Sequence, residues 1–557
     1  MTKEQLNKLN STLGRYKSAK QKLEKRVIQA ENWWKLRNSF EEKRSLFTPA
    51  DAGFHSTTGW LHNVIVNKHA DAIDSFPAPV ILPREPGDKK EAEILSEIIP
   101  CVLEQNRFEE VYSNVCWQKL KTGTGVYKVI WDQSKLNGLG DISISRVDLL
   151  NLFWEPGITD IQRSKYVFHT QLEDREKLEK MYPEYKGKFT GHSAQCTVRP
   201  SKFRTDDPVT DTDKVCVVEC YMKEKINGRQ ILSYVKYCGD QVLYETNGES
   251  LYDHGLYPFV FDVLFPVEGS PCGYGYIDLC SNSQTSIDLL STAFVRNAMV
   301  GSMPRYFSRI DGAVNEDEFL DVTKPIIHVN GNLGEDSLKS VSFSGLPTNA
   351  LQVLDRMIDE LRQTSGNTET ATGKVSSGVT AASAIVALQE ASGKGSRDSI
   401  RGTYRAFQDI VSMCIELQRQ FYDLPRKYRI LGSSRAGMQF TVFSNEGLKP
   451  QPVYNEYGVD LGLRLPVFDI KVEAQKKDAY SRLSQNELAI QFYRLGFFVP
   501  ENAAPALMCM EMMDFENKDR IMAAVADNAE AAARSAQGTV HRAELVHSAQ
   551  GTGHSEE

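Results

Sequence analysis

Leu6, Leu9, Leu13, Tyr16, Leu23 and Val27 recur at three- and four-residue intervals, with the register broken at Lys20, and predict helix over residues 1–48. The apolar spacing in 61–75 predicts a second helix, stopped by Phe76-Pro77-Ala78-Pro79. A third is expected over 89–123. The period then shortens to two. VYKVIWD (126–132), ISISRVDLL (142–150) and LFWEPG (152–157) alternate or bunch β-branched and aromatic side chains, which marks strands. More strands are expected at 165–172, 215–221, 231–237 and 260–265, with the polar stretch 185–213 as a loop. The fold class is α+β, an antiparallel β-rich module placed after helices.

Helical spacing returns at 277–300, a span of about 36 Å at 1.5 Å per residue. The segment 304–346 holds two expected strands, 325–329 and 338–343, and an acidic helix at 315–321. Leu351, Leu354, Ile358 and Leu361 then form one stripe of a helix over 348–363, so two helices flank a small α/β insert. Ile400, Tyr404, Phe407, Val411, Cys414, Leu417 and Phe421 mark the buried face of a long helix beginning near 380. Gly393-Lys394-Gly395 should interrupt it, since each glycine weakens a helix by about 1 kcal/mol relative to alanine. A β segment at 429–443 and a strand at 467–473 lead into helices at 479–495, 503–512 and 518–534. The tail repeats SAQGT at 535–539 and 548–552 and is rich in small polar residues, the composition of a mobile end.

With 557 residues the chain has room for two to four domains or one large interlocked body. Its formal charge of −8 argues against tight wrapping of nucleic acid, which wants a basic excess, but leaves room for a local patch. Residues 1–48 are such a patch: twelve Lys/Arg against five Glu, a local +7, read as a solvated amphipathic helix or as a docking arm for an acidic partner or DNA. The ten cysteines form no CxxC pair, and Cys216 and Cys220 lack a second Cys/His pair for zinc. No secretory signal opens the chain and no run approaches 18 apolar residues. A soluble intracellular protein with free thiols is expected.

The stretch TATGKVSSGVTAASAIVALQEASGKGSRD (370–398) carries GK twice. A phosphate-binding P-loop needs glycine five positions before GK and Ser/Thr after it. Gly373-Lys374 has Thr368 and Val375 at those places; Gly393-Lys394 has Leu388 and Gly395. Neither fits. The ten histidines are scattered, His62 and His69 lying seven apart on one helix face, and no GxSxG or HExxH occurs. CGYGYIDLCS breaks the dinucleotide pattern at its last position, and Glu316 and Glu318 read as solvated surface. No catalytic site, metal site or cofactor is expected.

Five stretches, in order, resemble bacteriophage portal proteins, the head-to-tail connector at one capsid vertex. NVIVNKHADAIDSFPAP resembles an early helix of that family. GTGVYKVIWD with VDLLNLFWEPG resembles its β-rich wing, and GSPCGYGYIDLCSNSQTSIDLL the lead-in to its first stem helix, with Gln284 where these proteins commonly carry glutamine. SSGVTAASAIVALQEASGKGS resembles the segment after the second stem helix, and SRLSQNELAIQFYRLGFFVPENAAPALMCMEMMDFENKDRIM the C-terminal helices. The resemblance covers about residues 55–530 and rests on co-linearity rather than on any one motif.

It implies the following parts: 1–272, N-terminal wing; 273–300, first stem helix; 301–347, clip; 348–363, second stem helix; 364–380, tunnel loop; 381–475, long kinked helix and C-terminal wing; 476–534, crown; 535–557, mobile tail. It also implies a homo-oligomeric ring, usually of twelve subunits, through which a separate terminase drives double-stranded DNA. Thr372, Ser376, Ser377 and Thr380 would then offer hydroxyls to passing phosphates, and Lys374 one cation per subunit. Dense Lys/Arg would act as a brake there. Gly366, Gly373 and Gly378 would let the backbone shift. Lys394 and Arg397 are secondary lumen candidates, and Glu316, Asp317, Glu318 and Asp321 of the clip would face the terminase large subunit. Asp355, Arg356, Asp359 and Arg362 could pair between subunits. Further implied partners are the major capsid protein, scaffold and a head–tail adaptor, with no membrane; assembly would occur in the host cytoplasm and the product reside in the virion. The rival readings are a nucleotide-driven enzyme built on the GK stretch and another virion structural or injected protein.

Overall fold

In the computed structural model the first predicted helix is two, α1 (Lys3–Ala19) and α2 (Gln21–Trp34), meeting at Lys20. The structure describes residues 1–36, 56–189, 214–226, 228–302, 306–308, 315–320, 328, 338–340, 349–367, 394–430, 439–454, 460–476, 489–499, 502–511 and 521–529. A capping box starts α1: Gln5 N–H donates to Thr2 Oγ1 at 3.3 Å and Thr2 N–H to Gln5 Oε1 at 2.8 Å. Its stripe Leu6, Leu9, Leu13 and Tyr16 is buried on a sheet of the same body, so the apolar face of this basic region is already occupied. Lys20 Nζ donates to the carbonyls of Leu149 and Leu152, and burial pulls its pKa down to about 8.

α3 (Trp60–Asp74) runs straight into β1 (Ser75–Pro83), where the prolines had predicted only a stop. β1 has one ladder partner, which suits a strand short of N–H donors. The helix expected over 89–123 is also two, α4 (Lys89–Gln105) and α5 (Phe108–Thr122). Between them Arg107 takes φ 48°, a left-handed conformation that no α-helix continues through.

The β-module follows: β2 (Thr124–Asp132), β3 (Asp141–Arg146), β4 (Leu152–Trp154) and β5 (Tyr166–Asp174), then α6 (Arg175–Met181). After residues 190–213, which lie outside the described residues, come β6 (Lys214–Ile226), β7 (Arg229–Cys238), β8 (Gln241–Glu245) and β9 (Phe259–Val263). β3-β2-β9 form an antiparallel sheet and β4-β5-β6-β7-β8 an antiparallel meander. Side chains alternate across β6: Cys216, Val218 and Cys220 meet α1, while Val215 and Val217 meet Leu178 and Phe189. The expectation of free thiols fails at Cys216, which is disulfide-bonded. Cys116, Cys220, Cys238, Cys272, Cys280 and Cys414 are buried free thiols. A buried Lys128–Glu219 ion pair of 2.5 Å, with His169 Nδ1 at 2.9 Å from the same carboxylate, ties the two sheets together.

β10 (Phe265–Pro266) pairs with β11 (Gly273–Tyr274) just before α7 (Tyr276–Ser302). Here CGYG serves backbone crossing. A Cβ on Gly275 would stand 2.5 Å from the Lys121 carbonyl, and Gly123, at φ 85°, abuts the backbone of Tyr274. In the insert, β12 (Tyr306–Ser308) pairs antiparallel with β13 (Leu338–Ser340), and α8 (Glu316–Leu320) lies between them in sequence. Of the strand expected at 325–329 only residue 328 is described, and it is not in a strand. α9 (Asn349–Ser365) packs against α7, the hairpin foreseen from the sequence. α10 (Lys394–Phe421) runs unbroken through Gly395; what precedes Lys394 lies outside the described residues. β14 (Arg426–Ile430) pairs with β15 (Gln439–Phe443), and an unforeseen β16 (Gln451–Tyr454) with β17 (Asp460–Arg464). β18 (Phe468–Lys476) returns to β1.

The main core joins α4, α5, β2, β3, β9 and α10 around Leu95, Val115, Val126, Phe259, Phe407 and Cys414. Residues 475–557 form a separate unit. Its described helices, α11 (489–494), α12 (Ala503–Glu511) and α13 (521–529), gather Phe492, Ala503, Met510 and Val525 into a small cluster. The tail 535–557 lies outside the described residues. Among them no helix is long and apolar enough to cross a membrane.

Burial pushes the thiols of Cys116 and Cys414 up to about 12 and those of Cys238, Cys272 and Cys280 up to about 11. A raised folded pKa contributes stability that is whole below the unfolded value, near 9.0, and lost as pH climbs through the folded one. Lys20 acts in the opposite sense between about 8 and 10.5, as do Lys68 and Lys223 below 10.5, three groups against the five thiols. The melting temperature should therefore fall between about pH 8.5 and 11, and fall less in a Cys116→Ala/Cys414→Ala variant. An equal fall in both proteins would refute this account.

Candidate functional site

The hydroxyl-rich stretch 368–393 lies outside the described residues, but both its flanks are described, and both are held by one helix. Leu61, Val64, Ile65 and Lys68 follow the apolar spacing of α3, so Lys68 occupies a core position. Its Nζ donates to Ser396 Oγ at 3.0 Å, in the first described turn of α10, and to the Gly366 carbonyl at 3.5 Å, just past α9. Ser396 Oγ donates in turn to Asp71 Oδ2 at 3.0 Å, and Asn67 Nδ2 donates to Asn367 Oδ1 at 3.1 Å. Burial lowers the pKa of Lys68, opposed by Asp71 at 3.8 Å. Gly366, at φ 66°, makes the left-handed turn that ends α9. Residue 367 and residue 394 are thus brought to the same side of α3.

One layer deeper, Lys119 of α5 forms a 2.7 Å ion pair with Asp262 of β9 and donates to Thr403 Oγ1 at 2.6 Å and the Ser399 carbonyl at 3.1 Å. Between the two lysines lies a cavity of about 20 Å³, large enough for one water, where Asp71, Ser396 and Thr403 meet apolar neighbours such as Ala72, Leu120 and Ile400. A third polar set fixes the start of α3. Gln284 of α7 accepts from Leu61 N–H at 2.9 Å and donates to the Thr58 carbonyl at 3.0 Å and Asp288 Oδ1 at 2.9 Å. Thr58 Oγ1 donates to Asp288 at 2.8 Å, and Ser56 N–H to Thr292 Oγ1 at 3.1 Å. Gln284, Asp288 and Thr292 stand one turn apart, so α7 sets α3 and α3 sets the flanks of the stretch.

The predicted site residues are distributed unevenly. Thr372, Lys374, Ser376, Ser377, Thr380 and Asp321 lie outside the described residues, as do the side chains of Lys394 and Glu316. Arg397 is exposed on α10 and Asp317 on α8. Glu318 turns onto its own insert: its Oε2 lies 2.8 Å from both the backbone N–H and Nδ1 of His328. Arg362 sits 3.6 Å from Asp359 and over the Trp60 ring. His62 stacks on Trp34 and His69 on Trp117, ring centroids 4.2 and 3.7 Å apart. No group of three His, Cys, Asp or Glu among the described residues is placed to hold a metal.

Sequence reasoning missed Asn67, Lys68 and Lys119 because lysine and asparagine on a helix read as solvated. The signal was there for Lys68, which interrupts an apolar stripe where leucine or valine is expected. Replacing Lys68 by methionine should leave Ser396, Asp71 and the Gly366 carbonyl short of a partner and cost about 1–3 kcal/mol. Amide hydrogen exchange should speed up at 361–367 and 394–400. Unchanged exchange at both flanks would show that Lys68 clasps nothing.

A family model described as phage P22-like portal protein matches residues 70–234 and 229–550, most of the chain. No curated protein matches it. The matched span contains β1, the β-module, the α7–α9 hairpin, α10 and the helices of the C-terminal unit. The chain belongs to the P22-like phage portal protein family, the virion components that form the genome-packaging conduit at the capsid vertex.

Proposed function

We propose that this portal protein assembles into a ring, usually twelve subunits in its relatives, with 364–380 as a yielding collar around double-stranded DNA. What supports the collar is the clasp: α3 holds both flanks of the hydroxyl-rich stretch on one rigid frame. A polymer under a motor must be touched without being gripped, because each bound phosphate adds steeply salt-dependent affinity. Thr372, Ser376, Ser377 and Thr380 can offer hydroxyls at little cost, and Lys374 a single cation. The negative body would keep DNA from adhering to the walls. The insert 301–347 is the surface for the terminase large subunit, with Asp317 exposed on it, and the wing meets major capsid protein and scaffold. A head–tail adaptor would dock on the finished vertex, after assembly in the host cytoplasm. The chain itself does no chemistry; the energy comes from the terminase.

Negative-stain images of the purified protein should show rings with a central hole wide enough for a duplex; monomers or filaments would end the conduit reading. Lys374→Glu should leave rings intact and lower the DNA content of particles, whereas normal filling would remove 364–380 from the channel. Steady-state ATP hydrolysis, with or without DNA, should stay at background. Turnover abolished by Lys374→Ala would establish the enzyme reading instead.

A further inference from the structure

β9 ends the three-stranded sheet, with β2 on one side and no strand on the other. Its ladder bonds fall on even-numbered residues: Leu264 N–H donates to the Gly123 carbonyl at 3.0 Å, and the Pro258 carbonyl accepts from Val129 N–H at 3.0 Å. Bonded positions alternate in an antiparallel pair, so Phe259, Phe261 and Val263 turn their N–H and C=O groups away from β2. Those groups have no hydrogen-bond partner among the described residues. Other edge strands of this body are blunted: prolines occupy β1, β4 has three residues, and β8 slips its register against β7. The FVFDV of β9 carries no proline, no lysine and no bulge.

A groove of about 450 Å³ lies against this bare edge. It is lined by Phe259, Phe261 and Val263 of the strand, by Ile161 and Leu256, and by Met413 of α10. Asp160 and Asp409, both exposed, border the same space, and neither has an ion-pair partner among the described residues. Loss of water raises the pKa of Asp409, and the charge of Asp160 adds to the rise. Two uncompensated carboxylates beside an apolar lining call for a cation and repel any phosphate backbone. An open strand edge calls for an extended chain. The volume falls within the range of ligand pockets, about 300–1,000 Å³, and the strand offers about 17 Å of edge.

We propose that this groove takes an extended segment of another polypeptide, with lysine or arginine between apolar residues, as an added strand on β9. Backbone hydrogen bonds to Phe259, Phe261 and Val263 hold the segment, and its cations meet Asp160 and Asp409. Such docking goes beyond the conduit reading and does not depend on it. The test uses the full-length protein, as subunits and as rings, with three short fluorescent peptides. One alternates valine and arginine, one alternates valine and glutamate, and the third is the arginine peptide with its amides N-methylated. The first should bind and slow amide hydrogen exchange at Phe259, Phe261 and Val263; the other two should bind at least about tenfold more weakly. Asp160→Asn/Asp409→Asn should weaken the first about tenfold. Asparagine keeps the cap that Asp160 places on Gln162 N–H, so the turn should survive. No binding, equal binding of the glutamate peptide, or unchanged exchange on β9 overturns the proposal. Binding by subunits but not by rings overturns it too, by assigning the groove to a neighbouring copy.

Discussion

Lys119 and Asp262 meet at 2.7 Å with almost none of either side chain reached by solvent, and most of the body is arranged so that this burial is tolerable. Two charges withdrawn from water cost several kcal/mol each unless geometry and further hydrogen bonds offset it. Thr403 supplies that offset. Its hydroxyl accepts from the ammonium at 2.6 Å and donates to the second carboxylate oxygen at 3.0 Å, and the Ser399 carbonyl takes another proton of the lysine. Three segments far apart in sequence, α5, β9 and α10, are thereby fixed against one another. Removing one partner would leave the other charge buried alone, which is why the junction acts as a single unit.

From that junction the frame extends outward in polar steps. Ser396 lies one turn of α10 before Ser399, so the helix seated by Lys119 is also the helix that Lys68 holds. Helix α7 joins the same frame through Gln284 and Asp288. A frame of satisfied buried hydrogen bonds is rigid and specifies one arrangement.

The sequence was most readable where periodicity is long and its partner is the general core. The α10 stripe from Ile400 to Phe421, the α7–α9 hairpin and the strands of the β-module lie where their spacing put them. It was least readable where a residue type means the reverse of its usual habit. Lys20, Lys68, Lys119, Lys121 and Lys128 are all buried, and lysine in a helix or strand normally signals water. In 1–48 the solvated amphipathic reading holds for the described cations except Lys20, which serves carbonyls inside the protein. Arg107 carries no mark of the left-handed turn that splits α4 from α5, and the disulfide at Cys216 has no spacing signature. Of the site, resemblance pointed to Gln284; the clasp depends on contacts across some 300 positions and no local pattern contains it.

The pairing of β1 with β18 has a consequence for how the protein is made. Arg84, beside β1, bonds Asp469 of β18 across 385 positions, and Arg464 reaches back to Glu85 and Asp88. At a ribosomal speed of about 5–20 residues per second, β1 waits roughly 20–80 s for its mate to leave the exit tunnel. During that interval it is a bare template for a neighbouring nascent chain. The prolines at 77, 79 and 83 all fall on one edge of β1 and remove its amide donors there, so the residues that look like a helix stop would confine stray pairing to the opposite edge.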